Sequence, residues 1–209
     1  MKIGILGSGN VGATLGTRWA HGGHSVVFSS REPQSDKMKE LVGRAGATAR
    51  AATPVETVAA SEIVVVATPW NAAQNALSSV GSFQGKIVID VLNPLLPDLS
   101  GLAVPNTTSA GEMVAQWCPG GRVVKAFNTV GFPTMANPIV NGEPVVMFYC
   151  GDDAEAKKVV AQLATELGFN AVDAGPLTQA RVLEPFAMLW ISLAFRQGYG
   201  AHWGFKILR

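Results

Sequence analysis

Short apolar runs alternate along the chain with longer, alanine-rich segments in which apolar and polar positions are mixed. Nearly every position in the short runs is hydrophobic, which is typical of parallel strands that are covered on both faces. The predicted strands are Ile3–Leu6, Ser25–Ser29, Ile63–Ala67, Ile87–Val91 and Val123–Phe127. The predicted helices between them are Val11–Ala20, Pro54–Ala60, Asn71–Val80 and Ser109–Trp117. This alternation predicts right-handed crossovers and an α/β fold with a doubly wound, mostly parallel sheet.

The second half of the chain continues the pattern less regularly. A further strand–helix–strand unit is predicted over Val145–Cys150, Asp153–Leu167 and Asn170–Asp173. Two stretches, 93–106 and 131–144, contain several Pro residues and are predicted to be irregular.

Beyond Arg181, apolar residues recur at helical spacing, and further aromatic residues follow Phe195. We therefore predict a short helical C-terminal segment. Its aromatic rings either pack in a core or a subunit interface, or wall a pocket for a flat ligand.

Composition and charge exclude several classes of protein. The 209 residues are 48% hydrophobic and 15% charged, which excludes intrinsic disorder. The net charge is +1 with no basic run, so a nucleic-acid partner is not expected. Cys118 and Cys150 match no metal-ligand or disulfide spacing and are predicted to be buried free thiols. The longest near-apolar run, Phe186 to Phe195, falls short of the about 18 residues that a membrane span needs, and MKIGIL is too short for a signal peptide. We expect a cytoplasmic protein without a membrane partner or a metal.

A glycine-rich string lies between the first predicted strand and the first predicted helix. Gly7, Ser8, Gly9, Asn10, Val11 and Gly12 form a G-x-G-x-x-G motif in the strand–turn–helix context that dinucleotide-binding sites require. In such a motif the first glycine permits a tight turn, the second lets backbone amides approach a pyrophosphate, and the third lets the helix pack against the strand. The motif predicts a Rossmann-type dinucleotide-binding domain over residues 1–175, followed by a small C-terminal segment, 176–209, that completes an acceptor pocket or a dimer interface.

The residues after the second predicted strand indicate which dinucleotide binds. NAD-binding sites place an acidic residue at this strand end to bond the ribose 2′-hydroxyl. Here the sequence is Ser29-Ser30-Arg31, with Lys37 a few residues on. Hydroxyls and a guanidinium suit a 2′-phosphate, so we predict NADP, although Glu32 could turn toward the ribose.

The carboxyl ends of the other predicted strands should line the nicotinamide half of the site. They carry Thr68 and Pro69, Asn93, and Ala126 with Asn128. The two asparagines are candidates to bond the carboxamide or the ribose, and could equally be turn or capping residues. No acid–base residue or triad is identifiable from spacing, so the catalytic residues are unknown. Hydride chemistry does not require one, because the cofactor carries it.

Five pieces of the sequence together resemble one family. They are MKIGILGSGNVG, Ser29-Ser30-Arg31, Thr68-Pro69-Trp70, Asn93-Pro94-Leu95 and Lys125-Ala126-Phe127-Asn128-Thr129. The chain resembles the NADPH-dependent reductases of the deazaflavin coenzyme F420, whose nucleotide-binding module also occurs in the STEAP metalloreductases. The resemblance implies hydride transfer between nicotinamide C4 and deazaflavin C5, usually in a homodimer. It implies that Gly7 to Gly12, Ser30, Arg31, Thr68 and Pro69 hold NADP, with Ala126 and Asn128 near the nicotinamide.

Three alternatives remain open at this point. The acceptor could be a flavin, a quinone or a ferric chelate instead of the deazaflavin. The protein could be a non-catalytic NADP(H)-binding sensor, since no acid–base residue is identifiable. An imine or hydroxy-acid reductase is less favoured, because few residues follow the last predicted strand and those enzymes carry a long helical C-terminal domain.

Overall fold

The computed structural model describes residues 1–208, which contain two β-sheets and eight α-helices. The strands are β1 (Lys2–Leu6), β2 (Ser25–Ser29), β3 (Ala49–Ala52), β4 (Ile63–Val66), β5 (Ile87–Asp90), β6 (Arg122–Ala126), β7 (Ile139–Val140), β8 (Glu143–Pro144), β9 (Val146–Gly151) and β10 (Asn170–Asp173). The helices are α1 (Asn10–His21), α2 (Asp36–Ala45), α3 (Pro54–Ala59), α4 (Trp70–Ser78), α5 (Ala110–Trp117), α6 (Phe132–Ala136), α7 (Ala154–Glu166) and α8 (Ala180–Phe195). A short 3-10 helix, Leu177–Gln179, precedes α8.

Eight strands form the main sheet in the order β10-β9-β6-β5-β4-β1-β2-β3, and β7 pairs only with β8. Every pairing in the main sheet is parallel except that of β6 with β9. The prediction of a doubly wound, mostly parallel sheet with a helical C-terminal segment is confirmed. The order reverses between β1 and β4, and sheets of this kind bind ligands at such a switch point, beyond the carboxyl ends of the strands.

The sheet is covered on both faces by apolar side chains, as its near-continuous hydrophobic strands require. One face packs Leu15, Trp19 and Phe28. The other packs Leu77 and Phe83. Separate from both cores, Trp190 of α8 stacks on Trp203 with ring centroids 5.5 Å apart, and Phe205 packs beside them. Across residues 1–208 no helix is both long and apolar enough to cross a membrane.

The structure contains regular elements where the sequence pattern gave no signal for them. The segment 131–144, predicted to be irregular, holds α6 and the β7–β8 pair, so that prediction is wrong. Pro133 was misleading because proline is well tolerated in the first turn of a helix. The alanine-rich β3 has a weak strand propensity and is held by its parallel pairing with β2.

Candidate functional site

The glycine turn, residues 7–12, joins β1 to α1 at the switch point of the sheet. Gly7 has a φ of +102°, and a Cβ on it would collide with the backbone of Ala67. Gly12 lies directly against the carbonyl oxygen of Gly7, again with no room for a side chain. Gly9 is different, because within the described chain no atom beyond Gly9 and its two neighbours lies within 4 Å of where its Cβ would be. The turn therefore excludes side chains at Gly7 and Gly12 but is open at Gly9.

The open space at Gly9 lies at the N-terminus of α1. Gly9 is the N-cap of this helix and supplies no side-chain cap. The amides of the first helical turn have no partner within the helix and carry the positive end of its dipole. Backbone donors facing open space fit a diphosphate, and they fit it at the position where the glycine motif predicts it. Asn10 is exposed at this entrance, and Ser8 is half-buried.

The end of β2 adjoins the glycine turn. The Gly7 amide donates to Ser29 Oγ across 3.4 Å, so the buried Ser29 hydroxyl ties the strand end to the turn. Ser30 Oγ accepts a bond from the amide of Glu32, 3.0 Å away. Arg31 is exposed and forms no hydrogen bond or ion pair with any residue from 1 to 208. Lys37, also exposed, lies in the first turn of α2. These residues present free positive charge at the strand end, as a 2′-phosphate requires.

A cavity of about 570 Å³ continues from the switch point along the carboxyl ends of β4 and β5. It brings together Val11, Thr68, Pro69 and Asn93, four of the residues that the sequence predicts for the site. Its other lining residues are apolar except for one asparagine: Ala67, Trp70, Asn71, Val91, Leu92, Leu95, Pro97 and Ala103. None of the twelve lining side chains is titratable. The hydroxyl of Thr68 is buried at its Oγ1 atom and has no hydrogen-bond partner among the described residues.

Asn93 and Asn128 bond to one another at the edge of this cavity. Asn128 Nδ2 donates to Asn93 Oδ1 (3.1 Å) and to the carbonyl of Leu183 (3.1 Å). Asn93 Nδ2 donates to the carbonyl of Asn128 (2.8 Å). Asn93 lines the cavity, whereas Asn128 lies behind it and is 4% exposed. Ala126 is fully buried and does not line it. Direct contact of Ala126 and Asn128 with a nicotinamide therefore stays a prediction.

Phe127, between Ala126 and Asn128, has an unusual backbone conformation. Its φ is +63°, in the left-handed region that a bulky residue rarely occupies. Its ring is fully buried between Trp19 and Phe169, and its amide donates to Met147 Sδ. The chain thus turns sharply at the end of β6, and Asn128 meets Asn93 across this turn. Strained residues of this kind persist where the surroundings fix them, and they concentrate at functional sites.

A buried charge cluster lies beside the amide pair. Lys125 Nζ donates to Asp90 Oδ2 (2.7 Å) and to the carbonyl of Leu92 (2.8 Å), and lies 3.0 Å from Glu184 Oε1. Lys125 and Asp90 have no exposed surface, and Glu184 is 2% exposed. Burial by itself lowers the pKa of Lys125, but the two carboxylates outweigh it and raise that pKa above its usual value. The lysine is therefore held as an ammonium ion.

Comparison with known proteins agrees with this geometry. A family model described as NADP oxidoreductase, coenzyme F420-dependent, matches residues 2–94. The F420-dependent NADP reductase of Methanothermobacter thermautotrophicus is 30% identical over 212 residues, covering 94% of this chain and 90% of that protein. A crystal structure from Arthrobacter sp. FB24, assigned as an F420-dependent NADP reductase, is 33% identical with a TM-score of 0.90 and full coverage of both chains. The chain belongs to the F420-dependent NADP reductase family.

The similarity extends to proteins of a different name. Rat metalloreductase STEAP3 is 34% identical over 184 residues, which are 88% of this chain but 36% of that protein. The chain thus spans about a third of the STEAP3 length. The sequence resemblance to both groups is confirmed.

The sequence pattern does not reveal the buried charge cluster of this reductase family member. It predicts only that Asp90 lies inside a strand, and it assigns neither Lys125 nor Glu184 to the site. A signal was present, because Asp90 and Lys125 are the charged residues in the otherwise apolar predicted strands Ile87–Val91 and Val123–Phe127, and the β5–β6 register pairs them. Glu184 could not be found in this way, because it comes from α8, far along the chain. No group of three His, Cys, Asp or Glu residues suited to a metal ion occurs in the part of the chain that the structure describes.

Proposed function

We propose that this chain is an NADP(H)-dependent oxidoreductase that transfers a hydride between nicotinamide and a flat second carrier, most specifically the deazaflavin coenzyme F420. The observation that carries the proposal is that two features lie on adjacent strand ends. The backbone at Gly9 is open to an anion, and Arg31, at the end of β2, has no hydrogen-bond or ion-pair partner within residues 1–208. The family relationship supports the same cofactor and the same carrier.

The dinucleotide would lie across the switch point of the sheet. The turn from Gly7 to Gly12, with Ser8, Asn10 and Val11, would hold the diphosphate on the first-turn amides of α1. Ser30, Arg31 and Lys37 would take the 2′-phosphate, while Ser29 holds the strand end against the turn. Thr68, Pro69 and Asn93 would border the nicotinamide half, because they line the cavity beside Val11.

The cavity suits a reaction between two rings. When bound, NADPH supplies a hydride from nicotinamide C4. The lining side chains include no titratable group, so the cavity wall holds no acid or base against the reacting atoms. What these residues do is orient two flat molecules and exclude water, and such orientation can supply about 7–11 kcal/mol of a reaction barrier. Trp70 and the apolar loop residues Leu95, Pro97 and Ala103 give the wall that a flat ring system needs.

The proposal assigns different roles to two parts of the chain. Residues 1–175 would form the NADP-binding domain, and residues 176–209 would complete the acceptor pocket or a dimer interface. A homodimer is supported by apolar side chains that α8 and the following residues leave exposed, namely Val182, Leu189, Phe195 and Tyr199. A cytoplasmic location is supported by the two free cysteines, both buried.

An acceptor screen tests the proposal. NADPH is mixed rapidly with the purified protein and, in turn, with oxidised deazaflavin, a flavin, a quinone and a ferric chelate, and the loss of nicotinamide absorbance is followed. The proposal predicts turnover with the deazaflavin. Turnover with the ferric chelate alone would favour the second candidate, a metalloreductase activity, which the similarity to STEAP3 supports. Binding of NADPH without turnover on any acceptor would indicate a sensor and overturn the proposal.

A folded control variant makes the screen specific. Gly9→Val has room for its side chain but would place that side chain where the diphosphate lies. Turnover that persists in this variant would come from a contaminant or from another site.

A further inference from the structure

We propose that Lys125 is a positioning residue of this enzyme: it fixes the chain where it leaves β5, and it thereby sets the amide pair of Asn93 and Asn128 at the edge of the cavity. The kinetic part of this inference rests on the proposed function. Its structural part does not, because it concerns the protein without ligands.

The buried Lys125–Asp90 pair is hydrogen-bonded to the backbone of Leu92. Lys125 Nζ donates to the Leu92 carbonyl over 2.8 Å, and Asp90 Oδ1 accepts the Leu92 amide over 2.9 Å. Both backbone polar groups of Leu92 are therefore held by the buried Lys125–Asp90 pair. The next residue is Asn93, whose side chain lines the cavity. A change in the Lys125–Asp90 pair should therefore shift the backbone of Leu92 and, with it, the next residue, Asn93.

Glu184 connects Lys125 to α8. Glu184 accepts the amides of Ala110 (3.0 Å) and Gly111 (3.1 Å) at the N-terminus of α5, and its Oε1 faces Lys125. The preceding carbonyl, of Leu183, accepts the Asn128 Nδ2 bond. Lys125 thus contacts Leu92, the residue before Asn93, and Glu184, the residue after the Leu183 carbonyl that Asn128 bonds.

Stability alone does not call for such a cluster. Replacing a buried ion pair with neutral residues of similar volume is often neutral or stabilising, so the burial of these charges is weak evidence of a role in stability. Apolar residues could not hold both polar groups of Leu92, and that bonding is what the cluster adds.

The test uses the double variant Asp90→Asn/Lys125→Met. It removes the charge pair and the bond to the Leu92 carbonyl, but it leaves Glu184 with both of its amide donors on α5. The carboxamide oxygen that replaces Asp90 Oδ1 can still accept the Leu92 amide. The triple variant that adds Glu184→Gln removes all three charges of the cluster. We expect the same result from it, and it replaces the double variant if that one does not fold.

Arg181→Gln is the matched control. It breaks the ion pair with Glu112, which joins the same two helices, α8 and α5, but has no contact with Leu92. The control should leave both the amide pair and the kinetics unchanged.

The first measurement is made without ligand, on the side-chain amide resonances of Asn93 and Asn128 by NMR. Sharp signals that exchange slowly in the wild type and in Arg181→Gln should broaden and exchange faster in the double variant. The second is kinetic. We expect kcat to fall about 100-fold, the effect of a misplacement of about 1 Å, while KM for NADPH stays within about threefold because the dinucleotide is held mainly at the glycine turn.

Two results would overturn the inference: unchanged amide resonances in a folded double or triple variant, or a loss that appears as KM for NADPH with kcat preserved. If the wild type reduces no acceptor, the proposed function fails, while the amide resonances still decide the structural part.

Discussion

Gly12 rests against the carbonyl oxygen of Gly7, so the start of α1 and the end of β1 touch without any intervening side chain. Gly9, between them, faces open space and has a φ of −74°, which any residue can adopt. The two glycines Gly9 and Gly12 therefore have different physical tasks, and substitution separates them.

We predict that Gly9→Val folds normally but does not bind NADPH, because its side chain would occupy the position proposed for the diphosphate. Gly12→Ala should instead lower the free energy of unfolding by about 1–3 kcal/mol, since the added methyl group overpacks a tight contact. Urea unfolding and NADPH titration of both variants check this. NADPH affinity retained in Gly9→Val would place the dinucleotide elsewhere.

Arg31→Ala should weaken NADPH binding while leaving NADH binding nearly unchanged, because only NADPH carries the 2′-phosphate. A hydrogen bond to a charged group contributes about 1.5–3 kcal/mol, which corresponds to roughly 10- to 150-fold in affinity. Arg44→Ala removes another exposed arginine, near the end of α2, and is the control. Equal losses for both cofactors in Arg31→Ala would refute the assignment.

The two cysteines should be unreactive in the folded protein. Burial raises the pKa of both Cys118 and Cys150 to about 12, so neither thiol ionises near neutral pH. A chromogenic disulfide reagent at mildly alkaline pH should therefore label no thiol in the native protein and both thiols after denaturation. Rapid labelling of the native protein would show that one of these sites is open to solvent.

The ion pair of Arg181 with Glu112 should make stability depend on acid. The hydrogen bond from Arg181 lowers the pKa of Glu112 below its ordinary value of 4.5. The ionised carboxylate therefore stabilises the fold above that value, and this contribution is lost as the pH falls through the lowered pKa.

In Arg181→Gln the free energy of unfolding should fall less steeply with acidification than in the wild type. Denaturant unfolding at a series of acidic pH values measures the slope. Identical slopes in the two proteins would show that Arg181 does not lower the pKa of Glu112.

The sequence was most informative where a local pattern determines a local structure. The apolar runs predicted the parallel strands, and G-x-G-x-x-G between a strand and a helix predicted the turn, since only glycine tolerates the contacts at Gly7 and Gly12. The absence of an acid after Phe28-Ser29 pointed to NADP, and Arg31 is indeed free of partners within residues 1–208.

The sequence was least informative where distant segments meet. Lys125 and Glu184 are far apart in the chain, and no local pattern pairs them until the fold buries them together. The bond between Asn93 and Asn128 likewise depends on the left-handed conformation of Phe127. The residue types in that turn do not predict this conformation. Tertiary contact, not local propensity, determines these features.

The most direct test of hydride transfer is a single-turnover reaction with NADPH that carries deuterium at the transferred position of nicotinamide C4. The protein is mixed with this cofactor and oxidised deazaflavin, and the reduced product is examined by mass spectrometry. Direct transfer between rings held in the apolar cavity predicts that the deuterium is recovered on the reduced deazaflavin. A reduced product without deuterium, or no reduction at all, would contradict it.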